Sequence, residues 1–305
     1  MFVEEYLVDL RQSGFRPSAW VRYVRRSLRL ARESAFERPS MVRSIALVGV
    51  VGFIVLLMAS LVLVFAAERG LAFQVFTRCG IVLLLGVAVA AGHVRLLVRP
   101  DGRPVDRFNP ANILTLSRLV VIPMMLAFLS HGHLRLALLA YLAGGLTDVL
   151  DGWLARRRGD ATDFGRVFDP VVDILFNTAL FAGLFSVGLI PAWVLALILT
   201  RYGLLCGGAA FLYIFRGPVH IRPTVLGKTT GVVMTLLVAT LVGGRLTLPS
   251  PVFSQIEGLL IVAIGFVEAI TIPQVLLIGW YNFRRSASSD QKDHRPFVDT
   301  SRGAC

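Results

Sequence analysis

Six aspartates fall within the 27 residues TDVLDGWLARRRGDATDFGRVFDPVVD, from Thr147 to Asp173. Asp148 and Asp151 are three residues apart. Gly152, Ala155 and Arg156 continue the same face of a helix, within an arc of about 140° at roughly 100° per residue. Two carboxylates are thus followed by a gap without bulky side chains and then by a guanidinium. Such a stripe can hold a metal ion, admit a flat nucleotide and pair with a phosphate. Gly152 lowers helix stability, so its place here suggests close approach by another group. After a short loop, Gly165, Asp169 and Asp173 recur at intervals of four. Asp169-Pro170 reads as an N-cap with proline at the first helical position. Four carboxylates at two facing helix ends suit Mg²⁺ or Mn²⁺, with oxygen enough for two ions. The alternative is that they are helix-end residues paired with Arg156, Arg157 and Arg158 in the headgroup region. That reading serves one aspartate well and an ordered set of four poorly.

The elements that must position these residues are apolar. Of the 305 residues, 55% are hydrophobic and only 16% are charged. The mean hydropathy is +0.71. A soluble domain of this length carries more charge. Several runs reach the roughly 20 residues that cross a bilayer as helix, and they do not alternate as barrel strands would. The sequence predicts an all-α polytopic membrane protein. Spans are expected at about 44–67, 79–98, 112–130, 135–156, 168–187, 190–214, 225–244 and 256–282. The first two make a transmembrane hairpin (44–98), and the other six make a catalytic core (108–282), separated by a loop at 99–111. Carboxylates in or near the bilayer cost roughly 2.5–3.5 kcal/mol each by insertion scales, a cost that bound cations would offset.

Residues 1–43 are expected to form a basic amphipathic segment on the membrane surface. Trp20, Val24, Leu28 and Ala31 lie there at helical intervals among arginines. A plain solvated helix is the alternative. Residues 283–305 read as a polar tail, disordered over its last twenty or so residues. Arginines crowd 1–43, 95–109 and 155–166, all on one side if the spans alternate, whereas the other side has only Arg69, Arg78, Arg135 and Arg245. Both termini and the aspartates are therefore expected at the cytoplasmic face. The net charge of +12 is accounted for by this asymmetry and by anionic membrane lipid, and no nucleic-acid partner is expected. Cys79, Cys206 and Cys305 show neither metal spacing nor a disulfide framework.

The full pattern is Asp148-x-x-Asp151-Gly152-x-x-Ala155-Arg156, eight residues, then Gly165-x-x-x-Asp169-x-x-x-Asp173. At every defined position it resembles the signature of the CDP-alcohol phosphatidyltransferases, over a region of about 108–282. The resemblance implies transfer of a phosphatidyl or phosphoalcohol group from a CDP-activated donor to a hydroxyl, with release of CMP. It implies that Asp148, Asp151, Asp169 and Asp173 bind two divalent cations, Mg²⁺ or Mn²⁺, and that Asp173 is also the general base. Gly152, Ala155, Arg156 and Gly165 would line the nucleotide site. Asn112, Thr115 and Arg118 recur every third residue at the start of the third span. A similar pattern in the family faces the nucleotide or metals; capping plus a snorkelling arginine is the alternative.

CDP-diacylglycerol is the expected donor and a small polar alcohol the acceptor, with glycerol 3-phosphate the first choice. Inositol phosphate, serine, another polyol or a phospholipid remain open. Arg201, Arg222 and Lys228 could together bind an anionic acceptor, although the last two could equally be topology anchors. Glu268 could pair with Arg201 or line a pocket. Ile174, Gly231 and Met234 depart from residues common in phosphatidylglycerophosphate synthases, which loosens the link to that subfamily. A homodimer is among the expected partners. A divalent-cation transporter would need acidic residues across the membrane, and the aspartates cluster at one end. An inactive scaffold would be expected to have lost part of the signature.

Overall fold

The structure, a computed structural model, describes residues 12–99, 101–158, 161–216 and 225–293. Within them the chain is helical: α1 (Pro17–Glu37), α2 (Pro39–Ala66), α3 (Arg69–Gly92), α4 (Pro110–Ser130), α5 (Leu134–Arg158), α6 (Asp163–Ser186), α7 (Ala192–Arg216), α8 (Val225–Thr247) and α9 (Ser250–Asp293). Seven of these have helical stretches long and apolar enough to cross a membrane, namely α2, α3, α4, α6, α7, α8 and α9. The fold is thus the expected all-α, multi-pass membrane architecture. The remaining expected span, the fourth (135–156), corresponds to α5. It has the length, 25 residues, but its second half carries Asp148, Asp151 and three consecutive arginines, which dilute its apolar character.

Two boundaries differ from expectation. The fifth expected span, placed from 168, begins at Asp163 instead. The last helix runs on to Asp293, through residues expected to be disordered. Extending an existing helix requires no new nucleus, so a polar continuation can stay helical. Residues 294–305 lie outside the described residues.

The start of α4, the end of α5 and the start of α6 meet at one end. Helix contacts in lipid rest on close packing rather than on apolar transfer. Gly144 of α5 shows this: a Cβ there would stand 2.5 Å from the Phe176 ring of α6. That glycine lets the two aspartate-bearing helices approach one turn below their carboxylates.

The N-terminal helices are knit into the same end. Met41, Ile45, Leu83, Val94, Leu97, Phe108, Leu116 and Phe164 form one buried cluster joining α2, α3, α4 and α6. Arg38, between α1 and α2, donates from Nη1 to the carbonyls of Val94 (3.0 Å) and Leu97 (3.3 Å) and from Nη2 to that of Val105 (3.3 Å). The Phe108 amide donates to Ser44 Oγ at 3.1 Å, and the Asp163 amide to the Val98 carbonyl at 3.1 Å. The loop before α4 is therefore pinned to the hairpin on one side and to the first turn of α6 on the other. On α1, Trp20, Val24 and Leu28 are exposed.

Candidate active site

Helix α4 supplies the residues that draw the aspartates together. Its N-cap is Asn109, whose side chain accepts from the Asn112 amide at 2.9 Å, with Pro110 at the first position. This fixes the register of Asn112, Thr115 and Arg118, all buried. Asn112 Nδ2 donates to Thr162 Oγ1 at 3.1 Å. Thr162 is the N-cap of α6, its Oγ1 accepting from the Gly165 amide at 3.1 Å. A Cβ on Gly165 would lie 2.9 Å from Asn112 Oδ1 and 3.5 Å from Asp169 Oδ2, so only glycine permits this approach of α6 to α4.

This cap corrects one expectation. Asp169 is not the N-cap of its helix, and Pro170 lies in the helix interior. The cap comes seven residues earlier, where Thr162 precedes Asp163, an acidic residue in the first turn. Thr-Asp-Phe-Gly carries that signal in the sequence, but Asp-Pro about two turns later masks it. Asp169 is left to point its carboxylate at α4, where Thr115 Oγ1 donates to it at 2.7 Å.

Arg118 is the centre of the site. Its side chain is 1% exposed. Its Nη1 stands 2.9 Å from Asp148 Oδ1 and also pairs with Asp173, while Nη2 is 2.5 Å from Asp151 Oδ2. Three aspartates from two helices thus converge on one guanidinium, and the fourth, Asp169, sits beside them through Thr115. Thr115 Oγ1 also lies 3.4 Å from Asp151 Oδ2. Access is graded: the Asp151 side chain is 7% exposed, whereas Asp148 and Asp173 are 51% and 43% exposed. The two open carboxylates are the ones an incoming molecule could reach.

Among the described residues, no three Asp, Glu, His or Cys side chains already stand as ligands around one point. The donor chemistry nevertheless suits hard divalent cations, since it consists of carboxylate oxygens. Four carboxylates also face one guanidinium, which leaves an excess of negative charge. A cation entering here would share the aspartates with Arg118.

Of the other expected site residues, Gly152 lies on α5 one position past Asp151. Ala155 and Arg156 continue that helix, but their side chains lie outside the described residues. Arg222 and the side chain of Lys228 also lie outside them. Arg201 is described, and it is engaged: Nη1 donates to both carboxylate oxygens of Glu268, each at 3.0 Å. Sequence reading named this pairing as one of two options for Glu268. It did not single out Thr162, which links Asn112 to Gly165, or Asn177, whose Nδ2 donates to the Asp173 carbonyl at 2.9 Å.

A sequence model of the CDP-alcohol phosphatidyltransferase family matches residues 108–271, more than half of the chain. A probable phosphatidylglycerophosphate synthase of Mycobacterium tuberculosis is 42% identical over 99 residues, 30% of this chain and 47% of that protein. A probable CMP-forming cardiolipin synthase of Drosophila melanogaster is 29% identical over 163 residues, 48% of each chain. A CDP-diacylglycerol–glycerol-3-phosphate 3-phosphatidyltransferase of Aquifex aeolicus is 30% identical over 131 residues, 42% of this chain and 72% of that one. The chain spans about half the length of the first two of these relatives. No solved structure matches it.

Proposed function

The chain belongs to the CDP-alcohol phosphatidyltransferase family, and we propose that it transfers the phosphatidyl group of CDP-diacylglycerol to the hydroxyl of a small polar alcohol, first of all glycerol 3-phosphate, releasing CMP. The observation that carries the reading is the convergence of Asp148, Asp151 and Asp173 on Arg118, with Asp169 held beside them by Thr115. That cluster lies wholly within the residues that match the family. The names of the Mycobacterium and Aquifex relatives support the acceptor.

In this reading Asp148, Asp151, Asp169 and Asp173 hold two divalent cations, Mg²⁺ or Mn²⁺. Bound there, the cations supply neutralisation of the diphosphate and of the leaving CMP. Gly152, Ala155, Arg156 and Gly165 line the nucleotide site. Asn112, Thr115 and Arg118 act behind the carboxylates, setting their positions through the bonds described above. Asp173, at the open edge of the cluster, accepts the proton of the incoming hydroxyl. The carboxylate is reachable from outside, and a direct displacement needs no covalent intermediate on the protein. The site faces the cytoplasm, as do both termini, in keeping with the arginine asymmetry. Arg201, Arg222 and Lys228 are read, as from the sequence, as cations for an anionic acceptor.

The test is release of CMP from CDP-diacylglycerol by purified protein with glycerol 3-phosphate and Mg²⁺ or Mn²⁺, and its loss in chelator. Release without any added divalent ion, in chelator, refutes the metal part. Absence of release with every acceptor offered refutes the activity. A second acceptor is favoured by a specific observation: the Drosophila relative is matched over 163 residues and is named a CMP-forming cardiolipin synthase. Phosphatidylglycerol therefore belongs in the same acceptor panel.

A further inference from the structure

The hairpin of α2 and α3 precedes the residues that match the family, and together with the core it builds a groove that the aspartate chemistry does not use. Helices α2 and α4 both pack on α3. Gly52 of α2 admits the Leu83 side chain of α3, which a Cβ there would meet at 3.2 Å, and Gly86 of α3 leaves room for Leu116 of α4. Between α2 and α4 a cavity of about 500 Å³ opens along the helices, with Leu83 of α3 also on its wall. That is the size of a ligand pocket. Every lining residue is apolar except Ser117, whose Oγ is already bonded to the Leu114 carbonyl at 2.7 Å. The groove is separate from the aspartate site. Ile113, Ser117 and Val120 line it, and at about 100° per residue they lie on the side of α4 opposite to Asn112, Thr115 and Arg118.

Its mouth is basic. On α2 the wall is the stripe Leu47, Val51, Val55 and Ala59, at four-residue intervals, and Arg43 stands one turn above Leu47 on the same stripe. The next residue, Ser44, accepts from the Phe108 amide at 3.1 Å, which brings Arg107, the residue before Phe108, to the same end. Arg43 and Arg107 are both exposed, and neither pairs with a carboxylate among the described residues. The acidic residues nearby are otherwise placed: Glu37 is 3.9 Å from Arg95, Asp101 is 3.6 Å from Arg103, and Asp106 is exposed to solvent.

The dimensions select the occupant. From Leu47 to Ala59 the groove runs twelve residues along α2, about 18 Å, and from Ile113 to Met124 eleven residues along α4, about 17 Å. One leaflet of a hydrocarbon core of roughly 30 Å is about 15 Å deep, so the groove reaches from the headgroup level on the aspartate side to the middle of the bilayer. Its volume divided by its length leaves a cross-section of about 30 Å². A helix with its side chains is about 10–12 Å across, which needs more than twice that area. A single hydrocarbon chain fits.

We propose that the groove holds one acyl chain of an anionic phospholipid from the leaflet on the aspartate side, with its phosphate between Arg43 and Arg107. The lipid fills the gap between hairpin and core and ties α2 to α4 through its chain and its headgroup. Guanidinium groups suit a phosphodiester, and exposed arginines at the membrane surface favour anionic over zwitterionic lipid. The site does not depend on the transferase reading.

The experiment titrates purified full-length protein in neutral detergent with phosphatidylglycerol and, separately, with phosphatidylcholine of the same acyl chains. Retained lipids are counted by native mass spectrometry. One phosphatidylglycerol is expected to be held more tightly than phosphatidylcholine. Arg43→Gln and Arg107→Gln should each weaken it about fivefold, and the double variant about 25-fold, with phosphatidylcholine unmoved. Val55→Trp fills the groove from a position that is 61% exposed and should remove the retained lipid of either kind. Phosphatidylglycerol at a hundredfold excess over its Kd should raise the melting temperature of the wild type by about 5 °C, and that of Val55→Trp much less. Equal retention of the two lipids, or a preference that both arginine variants leave intact, overturns the proposal. Retention that survives Val55→Trp places the lipid elsewhere, the aspartate site included, and also overturns it. A dimer that Val55→Trp dissociates, with no lipid retained by the wild type, makes a second copy of the chain the occupant and overturns it as well. If Val55→Trp does not fold, Val51→Trp on the same stripe takes its place, and the arginine variants, at exposed positions, decide the headgroup contact.

Discussion

Replacing Arg118 by glutamine removes the cation around which Asp148, Asp151 and Asp173 are arranged, and leaves their charges facing one another. The contact with Asp151 dominates the cost, because there both side chains are almost fully enclosed, whereas Asp148 and Asp173 are about half open to solvent and well screened. Removing one partner of a buried pair typically costs about 3–5 kcal/mol. At roughly 2 °C per kcal/mol for a chain of this size, the melting temperature should drop by about 6–10 °C. The assay is thermal unfolding of the purified protein in detergent, once in chelator and once in millimolar Mg²⁺ or Mn²⁺. In chelator the full difference is expected. With divalent cation the gap should narrow by half or more, since an ion binding the same carboxylates replaces the lost positive charge and stabilises the folded state by linkage. Activity is not needed as a readout. Equal melting temperatures of the two proteins in chelator would show that Arg118 is not the keystone of the cluster. A gap that added cations leave unchanged would show that the aspartates do not hold metal.

Asp173→Asn should leave the protein folded, with an unchanged elution profile, and reduce CMP release to background, because the amide cannot accept a proton; near-normal turnover would remove Asp173 from the role of base. Thr115→Val deletes the 2.7 Å bond to Asp169, and a melting point lowered by the equivalent of about 1 kcal/mol is expected, with CMP release reduced by a larger factor than any loss of folded protein accounts for. Gly165→Ala places a Cβ 2.9 Å from Asn112 Oδ1; overpacking of this kind costs about 1–3 kcal/mol, and a variant as stable as wild type would show that the start of α6 can shift freely. Deleting residues 1–98 strips Met41, Ile45, Leu83, Val94 and Leu97 from the cluster that covers Phe108, Leu116 and Phe164, so the remaining core should unfold at a clearly lower temperature in detergent, and an unaltered melting curve would show that it stands alone.

The aspartates and the helices that carry them were legible because helical spacing puts i and i+3, or i and i+4, on one face whatever surrounds them. The same reasoning assigned Asn112, Thr115 and Arg118 to one end of α4. It could not say what they touch. Arg118 reads equally well as a snorkelling residue or a nucleotide contact until the neighbouring helices are in place, since its partners lie 30 to 55 residues away. The start of α6 was misplaced because Asp169-Pro170 satisfies a local capping rule that Thr162 satisfies better, and only the tertiary contact of Thr162 with Asn112 decides between them. The hairpin's attachment was also hidden. Arg38 looks like one more arginine in a basic segment, yet its three carbonyl partners fix the loop ahead of α4. α5 shows the limit of counting apolar residues: the features that dilute it as a span are the ones that give it the site.

The three-residue stripe on α4 explains how one helix serves two others. At about 100° per residue, each step of three turns the side chain back by roughly 60° while advancing it about 4.5 Å. Asn112, Thr115 and Arg118 therefore do not stack on a straight line but sweep through about 120° as they descend. Each meets a different partner: Asn112 the cap of α6 at Thr162, Thr115 the carboxylate of Asp169 one level lower, and Arg118 both Asp173 on α6 and the pair Asp148 and Asp151 on α5. A stripe with four-residue spacing would drift by only about 40° per step in the other sense and would stay nearer a single neighbour. The winding stripe reaches both α5 and α6, and the side chain long enough to bridge them, an arginine, stands at its deepest position. The sequence cost of four carboxylates among apolar helices is met first by this guanidinium. Because one cation cannot balance four anions, the cluster stays receptive to further positive charge at the open carboxylates of Asp148 and Asp173.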